Sequence, residues 1–229
     1  LPLKYGEERV NRLQYQQERN ELLQTAQEIF SSGLVSGTWG NVSLRVSGQG
    51  LMLITPSGMD YNQMDAEDMV LLDGEEKVLA GKYKPSVETP LHLGIYKKRP
   101  EINAIVHVHS LYATAFAVAR QNIPVILEEA AQVIGHEVRV APYALCGSRQ
   151  LAENVLKVLG KDKRAVLLAN HGLLGLGGGL PEALRVCLVA ERTARIAIYS
   201  RILGPLHSLR AEDILSLRQV FENYGQKKD

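Results

Sequence analysis

The chain has 229 residues, 45% of them hydrophobic, and a formal net charge of +1 at pH 7. That is enough apolar material for a sizeable core, and the scattered Lys and Arg residues leave no electrostatic footprint for nucleic acid. No apolar run approaches the roughly 20 residues that span a bilayer, and no linker or low-complexity run divides the chain, so residues 1–229 are expected to form a single domain.

Glu7 to Phe30 is charged, Gln-rich and free of Pro and Gly. Val10, Leu13, Leu22, Leu23, Ala26, Ile29 and Phe30 fall near helical spacing, and Gly33 is a stop signal. Ser36-Gly37-Thr38-Trp39-Gly40-Asn41 is a tight turn leading into Val42 to Val46, whose apolar and polar residues alternate as in a strand. Ser47-Gly48-Gln49-Gly50 turns the chain back into a second strand, Leu51 to Thr55, followed by the hydroxyl-bearing turn Thr55-Pro56-Ser57-Gly58. Met69 to Leu72, the Asp73-Gly74 turn and Lys77 to Leu79 read as another hairpin, so the first third is expected to be largely antiparallel.

Lys84 to Pro90 opens a helix that runs to about Arg99, with Pro90 suited to the first turn and Pro100 blocking continuation. Ser86 and Glu88 at its head are compatible with a simple cap and dipole partner. Ala104 to Ser110 reads as a short buried strand, followed by an apolar helix from Leu111 to about Gln121. Residues two apart on a strand share a face, so His107 and His109 project together while Val106 and Val108 pack the other side. Pro124 to Ile134 holds Glu128 and Glu129 among apolar residues. Glu137 to Val140 reads as a strand, and Ser148 begins a helix to Leu159.

Ala165 to Ala169 is a continuous apolar run, expected as a central strand, and it ends in Asn170-His171-Gly172. The triplet Gly177-Gly178-Gly179 lacks the Lys-Ser/Thr of a phosphate loop and the GxGxxG spacing, so it is expected to be a turn. Pro181 starts the longest helix, to about Leu203, and a final helix from Glu212 ends near Phe221 and Tyr224, before a charged tail from Gln226 to Asp229. Antiparallel strands with interspersed helices give a mixed α/β (α+β) layered fold.

Taken alone, His107 and His109 suit either half of a metal site or a pair of hydrogen-bonded histidines at a sheet end. His171 at a second strand end brings the count to three, as in a catalytic zinc site with an open position. Glu88 then serves as a fourth ligand or as a base beside a metal-polarised carbonyl. The glycine and hydroxyl turns at Gly40-Asn41, Ser57-Gly58 and Ser86 offer unencumbered donors for a phosphate or a sugar hydroxyl. His92 and His136 are expected to be structural, and His207 to lie on the surface between two helices. Cys146 and Cys187 are isolated, with no CxxC spacing, as befits reduced thiols in a cytoplasmic protein. Leu1 stands where an initiator Met would, which is compatible with removal of a leader.

Thr38-x-Gly40-Asn41-Val42-Ser43, Thr55-Pro56-Ser57-Gly58, Pro85-Ser86-x-Glu88, Val106-His107-x-His109, Ala141-Pro142-Tyr143 and Asn170-His171-Gly172-Leu173 resemble, in order and spacing, the class II aldolase/adducin family. The likeness runs from about Glu18 to Gly225. It implies a three-layer fold with a central, mainly antiparallel sheet flanked by helices. It implies one Zn²⁺ per subunit on His107, His109 and His171, with Mn²⁺ or Co²⁺ as substitutes and Glu88 as acid/base and as a possible ligand in the absence of substrate. It implies a phosphate held by Gly40, Asn41, Ser57, Gly58 and Ser86. The implied reaction is the reversible cleavage of a ketose 1-phosphate to dihydroxyacetone phosphate and an aldehyde through a metal-stabilised enediolate. The substrate would be of the L-fuculose 1-phosphate or deoxypentulose 1-phosphate type.

A cytoplasmic homotetramer with active sites at subunit interfaces is implied as well, with Phe221 and Tyr224 in a C-terminal segment that closes over the substrate. Members of the family with no enzymatic role lack the metal residues, so the intact histidine set argues for an enzyme. Dehydration of methylthioribulose 1-phosphate, 4-epimerisation of a pentulose 5-phosphate and decarboxylation of a keto-sugar acid are alternatives on the same scaffold. Two positions depart from the family's sugar-phosphate aldolases. Val87 replaces a serine, removing one hydroxyl donor to the phosphate. Hydrogen bonds to charged groups are worth about 1.5–3 kcal/mol, so weaker affinity is expected rather than loss of binding. Glu128 replaces a tyrosine that donates a proton near the aldehyde, and a carboxyl can do so only if burial raises its pKa.

Overall fold

The computed structural model describes residues 15–46 and 50–222. The expected start of the first helix at Glu7, most of the first hairpin turn, Tyr224 and the charged tail lie outside the described residues. Helix α1 (Gln16–Ser31) buries Leu22, Ala26 and Ile29, which recur at helical spacing. Strands β1 (Asn41–Val46), β2 (Leu51–Ile54), β3 (Val70–Leu72) and β4 (Val78–Ala80) follow as an antiparallel meander, as the alternating runs and turn signals lead one to expect. Next come α2 (Thr89–Lys98), β5 (Ala104–Val108), α3 (Leu111–Ala119), α4 (Glu128–Val133), β6 (Arg139–Ala141) and α5 (Arg149–Leu159). Strands β7 (Ala165–Leu168) and β8 (Gly172–Gly177) and helices α6 (Leu180–Leu203) and α7 (Ala211–Glu222) complete the described chain.

The eight strands form one sheet in the order β4-β3-β2-β1-β5-β8-β7-β6. Every neighbouring pair is antiparallel except β6 and β7, which are parallel. A parallel pair needs a crossover rather than a hairpin, and α5 supplies it. Helices cover both faces. Leu22, Val106, Val108, Phe116 and Val186 share a core on the side of α1, α3 and α6, and Leu91, Ile95, Ile105, Val155 and Leu174 share the opposite core under α2 and α5. The layered fold expected from the sequence is therefore present, with β1 and β5 at its middle.

Strand β5 is buried along its whole length. Ala104, Val106 and Val108 enter one core and Ile105 the other, each fully buried Val or Ile contributing about 1.5–3 kcal/mol. The strand ends at Val108, two residues earlier than expected, because Ser110 caps α3 and its carbonyl accepts the Thr114 N–H at 2.9 Å. Strand β7 is interior but second from the sheet edge, not central. Its apolar run reflects burial on two faces: Ala165 and Leu167 join one core, Val166 and Leu168 the other. Strand β6 begins at Arg139 instead of Glu137, since its register is set by parallel pairing with Val166 to Leu168. The residues Gly178 and Gly179 form the turn between β8 and α6, as expected.

Candidate active site

The middle of the sheet places His107 beside Asn41 of β1 on one side and Leu174 of β8 on the other. Its ring is wholly buried, and its Nδ1–H donates to the Leu173 carbonyl at 3.1 Å, which turns Nε2 toward the other two rings. His109 follows the strand by one residue, and its Nε2 comes within 3.0 Å of His107 Nε2. His171 lies in the β7–β8 turn, where Asn170 adopts a left-handed backbone (φ 56°) that Asn tolerates and accepts a hydrogen bond from Arg120. The His171 Nε2 stands 3.2 Å from that of His107, and the three ring centroids are each 4.8 Å apart. Gly172 permits this closure. A Cβ there would lie 2.3 Å from the Val108 carbonyl and 3.2 Å from both the His107 and His109 rings.

Glu88 sits immediately before α2, and its carbonyl accepts the Leu91 and His92 N–H groups. Its side chain is buried with Oε2 2.9 Å from His107 Nε2, where it also accepts the Asn41 amide at 2.9 Å. Oε1 stands 3.7 Å from His171 Nε2. Burial opposes charge on both members of the Glu88–His107 pair, yet their mutual attraction prevails. Glu88 is held well below the usual carboxylate range, and His107 is raised above its ordinary value. The other two imidazoles are pushed down, His109 to about 3 and His171 to about 4, first by burial and then by the neighbouring His107. They are neutral at pH 7 and ready to act as ligands.

A cation suits this arrangement for specific reasons. Three Nε2 atoms and a carboxylate oxygen crowd one point, more acceptors than one His107 proton can serve. Tetrahedral ligation at about 2.0–2.1 Å places nitrogens roughly 3.3 Å apart, close to the spacing found. Among the described residues, the Glu88 Oε1 and Asn41 Oδ1 atoms are buried without a hydrogen-bond partner, an unfavourable state that a bound cation or substrate relieves. His107, His109 and His171 would hold the metal, with Glu88 beside it.

The residues expected at the phosphate fall in three adjoining turns. Gly40 and Asn41 enter β1, Ser57 and Gly58 follow β2, and Ser86 precedes α2. Pro56 and Pro85 bridge, the Ser57 N–H donates to Lys84 O at 2.9 Å, and the Ser86 N–H donates to Thr55 O at 3.2 Å. Thr55 Oγ1 in turn accepts the Val42 N–H, tying these turns to β1. Ser86 Oγ accepts the Glu88 N–H at 3.3 Å and keeps its own proton for another acceptor. Asn41 gives one of its two amide N–H donors to Glu88, which leaves the second for another acceptor. The Val87 side chain points outward.

Glu128 is exposed at the start of α4, a helix packed on α6 and α7, and it makes no hydrogen bond or ion pair among the described residues. It is not gathered with the histidines within this chain. Phe221 is half-buried in α7 beside a cavity of about 530 Å³ that Ile134 and Arg218 also line. His92 is wholly buried with Nδ1 2.7 Å from Ser43 Oγ, which also meets the Tyr96 hydroxyl, and His136 Nδ1 approaches Glu137 O at 3.1 Å. His207 is exposed.

Two neighbours of the site escaped the reading of the sequence. Trp39, 62% exposed, stacks on His109 with centroids 6.4 Å apart and planes 11° from parallel, its carbonyl held by the Tyr61 hydroxyl. Its place in the Thr38-x-Gly40-Asn41 motif was the available signal. Cys146 brings its Sγ near Glu88 and His171, and no local pattern announces a contact so distant along the chain.

The model of the Class II Aldolase and Adducin N-terminal domain matches residues 20–198. The 5-deoxy-D-ribulose 1-phosphate aldolase of Bacillus thuringiensis serovar kurstaki is 39% identical over 212 residues, covering 93% of this chain and 99% of that protein. The L-fuculose phosphate aldolase of Escherichia coli (strain K12) is 37% identical over 213 residues, covering 91% of this chain and 97% of that protein. A solved structure of L-fuculose 1-phosphate aldolase superposes with a TM-score of 0.85 at 35% identity, covering 89% of this chain and 95% of the other. With the sheet, the histidine cluster and these likenesses in agreement over nearly the same residues, the chain belongs to the class II aldolase and adducin family.

Proposed function

We propose that this chain is a zinc-dependent class II aldolase, a lyase that reversibly cleaves a ketose 1-phosphate to dihydroxyacetone phosphate and an aldehyde. The substrate is of the L-fuculose 1-phosphate or deoxypentulose 1-phosphate type, the classes named for the relatives. The observation that carries the reading is the convergence of three imidazole Nε2 atoms on a buried carboxylate, with Glu88 Oε2 2.9 Å from His107 Nε2. A metal held there supplies Lewis acidity toward the carbonyl and neighbouring hydroxyl oxygens of the substrate.

The chain's own groups do the rest. Glu88, ionised and oriented by the Asn41 amide, takes the proton from the hydroxymethyl carbon of dihydroxyacetone phosphate in the condensation direction and returns it after cleavage. Ser86, Ser57 and the backbone of Gly40 and Gly58 hold the phosphate, fixing the carbon chain relative to Glu88. Asn41 shares in phosphate binding only with whatever capacity its bond to Glu88 leaves. Glu128 and Tyr224 act at the aldehyde end, and the separation of Glu128 from the histidines within one chain supports a homotetramer with active sites at subunit interfaces. In this reading residues 1–229 are one catalytic domain that works in the cytoplasm, where a membrane-impermeant sugar phosphate is retained. No helix among the described residues is long and apolar enough to cross a membrane.

The test is to incubate the protein and Zn²⁺ with dihydroxyacetone phosphate and a panel of aldehydes, reading products by mass spectrometry. Condensation to a ketose 1-phosphate is expected. Absence of carbon–carbon bond formation overturns the aldolase reading, and loss of water, epimerisation or loss of CO₂ from the matching substrate would replace it with a dehydratase, epimerase or decarboxylase.

A further inference from the structure

A second triad of donor atoms shares an edge with the first. Cys146, on the segment between β6 and α5, brings its Sγ within 4.8 Å of ligand atoms of both Glu88 and His171. The segment is fixed there by its own chemistry. Gly147 has φ 75°, and a Cβ on it would lie 2.8 Å from the Val87 carbonyl, so this loop rests directly on the turn that carries Glu88. The Ser148 N–H and hydroxyl both donate to Leu145 O, at 3.1 and 2.6 Å, and Ser148 Oγ accepts the Leu151 N–H as the N-cap of α5. Asn154 Nδ2 donates to Pro142 O at 3.2 Å, pinning the other end. Facing the thiol is Glu88, 2% exposed, whose Oε1 has no hydrogen-bond partner among the described residues.

Zinc-type ions hold sulfur at about 2.3 Å and nitrogen or oxygen at about 2.0–2.2 Å, so donors grouped around one ion in trigonal or tetrahedral fashion stand roughly 3.3–3.8 Å apart. Glu88 Oε1 and His171 Nε2, 3.7 Å apart, already have that spacing, and the Cys146 Sγ, within 4.8 Å of both residues' ligand atoms, has about an ångström at most to close. The aldolase chemistry makes no use of Cys146. We propose that Glu88, Cys146 and His171 form a second, inhibitory site for a thiophilic divalent cation, of the class of Cd²⁺ or excess Zn²⁺. The inference rests on Glu88 being the acid/base group. As the sulfur–metal bond forms, the thiol proton passes to solvent. The Glu88 carboxylate becomes a ligand and no longer exchanges protons with substrate. Because the His171 Nε2 lone pair serves one ion only, filling the second triad takes that ligand away from the first. Thiolate in the donor set selects soft ions over Mg²⁺ or Ca²⁺.

The test titrates protein loaded with one equivalent of Zn²⁺ with Cd²⁺, following the ultraviolet thiolate-to-cadmium charge-transfer absorption and, in parallel, aldol condensation. The absorption is expected to saturate at one Cd²⁺ per chain as condensation is lost. In Cys146→Ser the absorption is absent and half-inhibition needs about 10–100-fold more Cd²⁺, while basal condensation matches wild type. Cys187, wholly buried with its thiol 3.5 Å from Val106 O, serves as the internal control thiol. Absorption that is missing from wild type, or that persists in Cys146→Ser, overturns the proposal. A Cys146-dependent absorption in a protein that never condenses dihydroxyacetone phosphate supports the site and refutes the aldolase reading instead.

Discussion

At the end of β5 the donor groups touch one another around the buried His107 and Glu88, whereas on α4 and α7 the described residues expected to meet the substrate tail, the exposed Glu128 and the half-buried Phe221, stand apart from them. His107, Glu88 and Asn41 form a closed cluster within one chain, backed by the core on both faces of the sheet. Glu128 is exposed without a partner among the described residues, and Phe221 borders an open cavity. The contrast separates two tasks. Polarising a carbonyl and moving a proton need atoms fixed to tenths of an ångström, which a packed sheet provides. Under the proposed function, choosing an aldehyde falls to surface that a second subunit or the substrate would complete.

The comparison breaks most visibly at its rigid half. His107→Ala is expected to abolish both stoichiometric zinc, read by plasma mass spectrometry, and condensation, while Glu128→Ala keeps the metal. Glu88→Gln should retain zinc but slow proton exchange at the hydroxymethyl carbon of dihydroxyacetone phosphate by about 10²–10⁴-fold, read as deuterium incorporation. Exchange at the wild-type rate would remove Glu88 from that role. Ser86→Ala removes one charge-assisted donor worth about 1.5–3 kcal/mol, so KM for the phosphorylated substrate should rise roughly 10–150-fold with kcat less affected. At the open half, Glu128→Gln should leave proton exchange unchanged and shift relative kcat/KM among aldehydes. An unaltered aldehyde profile would take Glu128 out of tail recognition.

A last effect is expected on stability against pH, outside the reaction itself. Burial pushes the His92 pKa down to about 3, against about 6.5 in the unfolded chain. Between those values the unfolded chain binds a proton that the native chain refuses, so stability falls as pH drops from 6.5 toward 3, by roughly 1 kcal/mol per pH unit. Thermal melts of His92→Gln across that window should show a shallower slope than wild type. An equal slope would assign the acid sensitivity to other groups.

Much of the rigid half was legible because it obeys local rules. The period of two in Val106-His107-Val108-His109 predicts side chains on a common face, and the structure brings both rings together although His109 lies just past the strand. The turn Asn170-His171-Gly172 marks a strand end, and the ordered motifs carried the rest. What escaped was non-local or too short for periodicity. The six-residue helix α4 offers barely more than one turn. The register of β6 depends on a parallel partner 27 residues away, from Arg139 to Val166. Asn41 reads from the sequence as a phosphate donor alone, and its hydrogen bond to Glu88, 47 positions on, is visible only in the fold. Cys146 looks solitary in the chain and becomes a neighbour of Glu88 only through the approach of Gly147 to Val87.

Trp39 is the chain's single tryptophan, and its ring lies nearly parallel to that of His109. An excited indole gives up electron density readily to an imidazole that has gained positive charge, so its emission depends on what His109 binds. All of the protein's tryptophan fluorescence therefore originates at one metal-ligand candidate, without contributions from elsewhere in the fold. Adding metal to the protein is therefore expected to change Trp39 emission, a signal readable without a label and on the timescale of mixing.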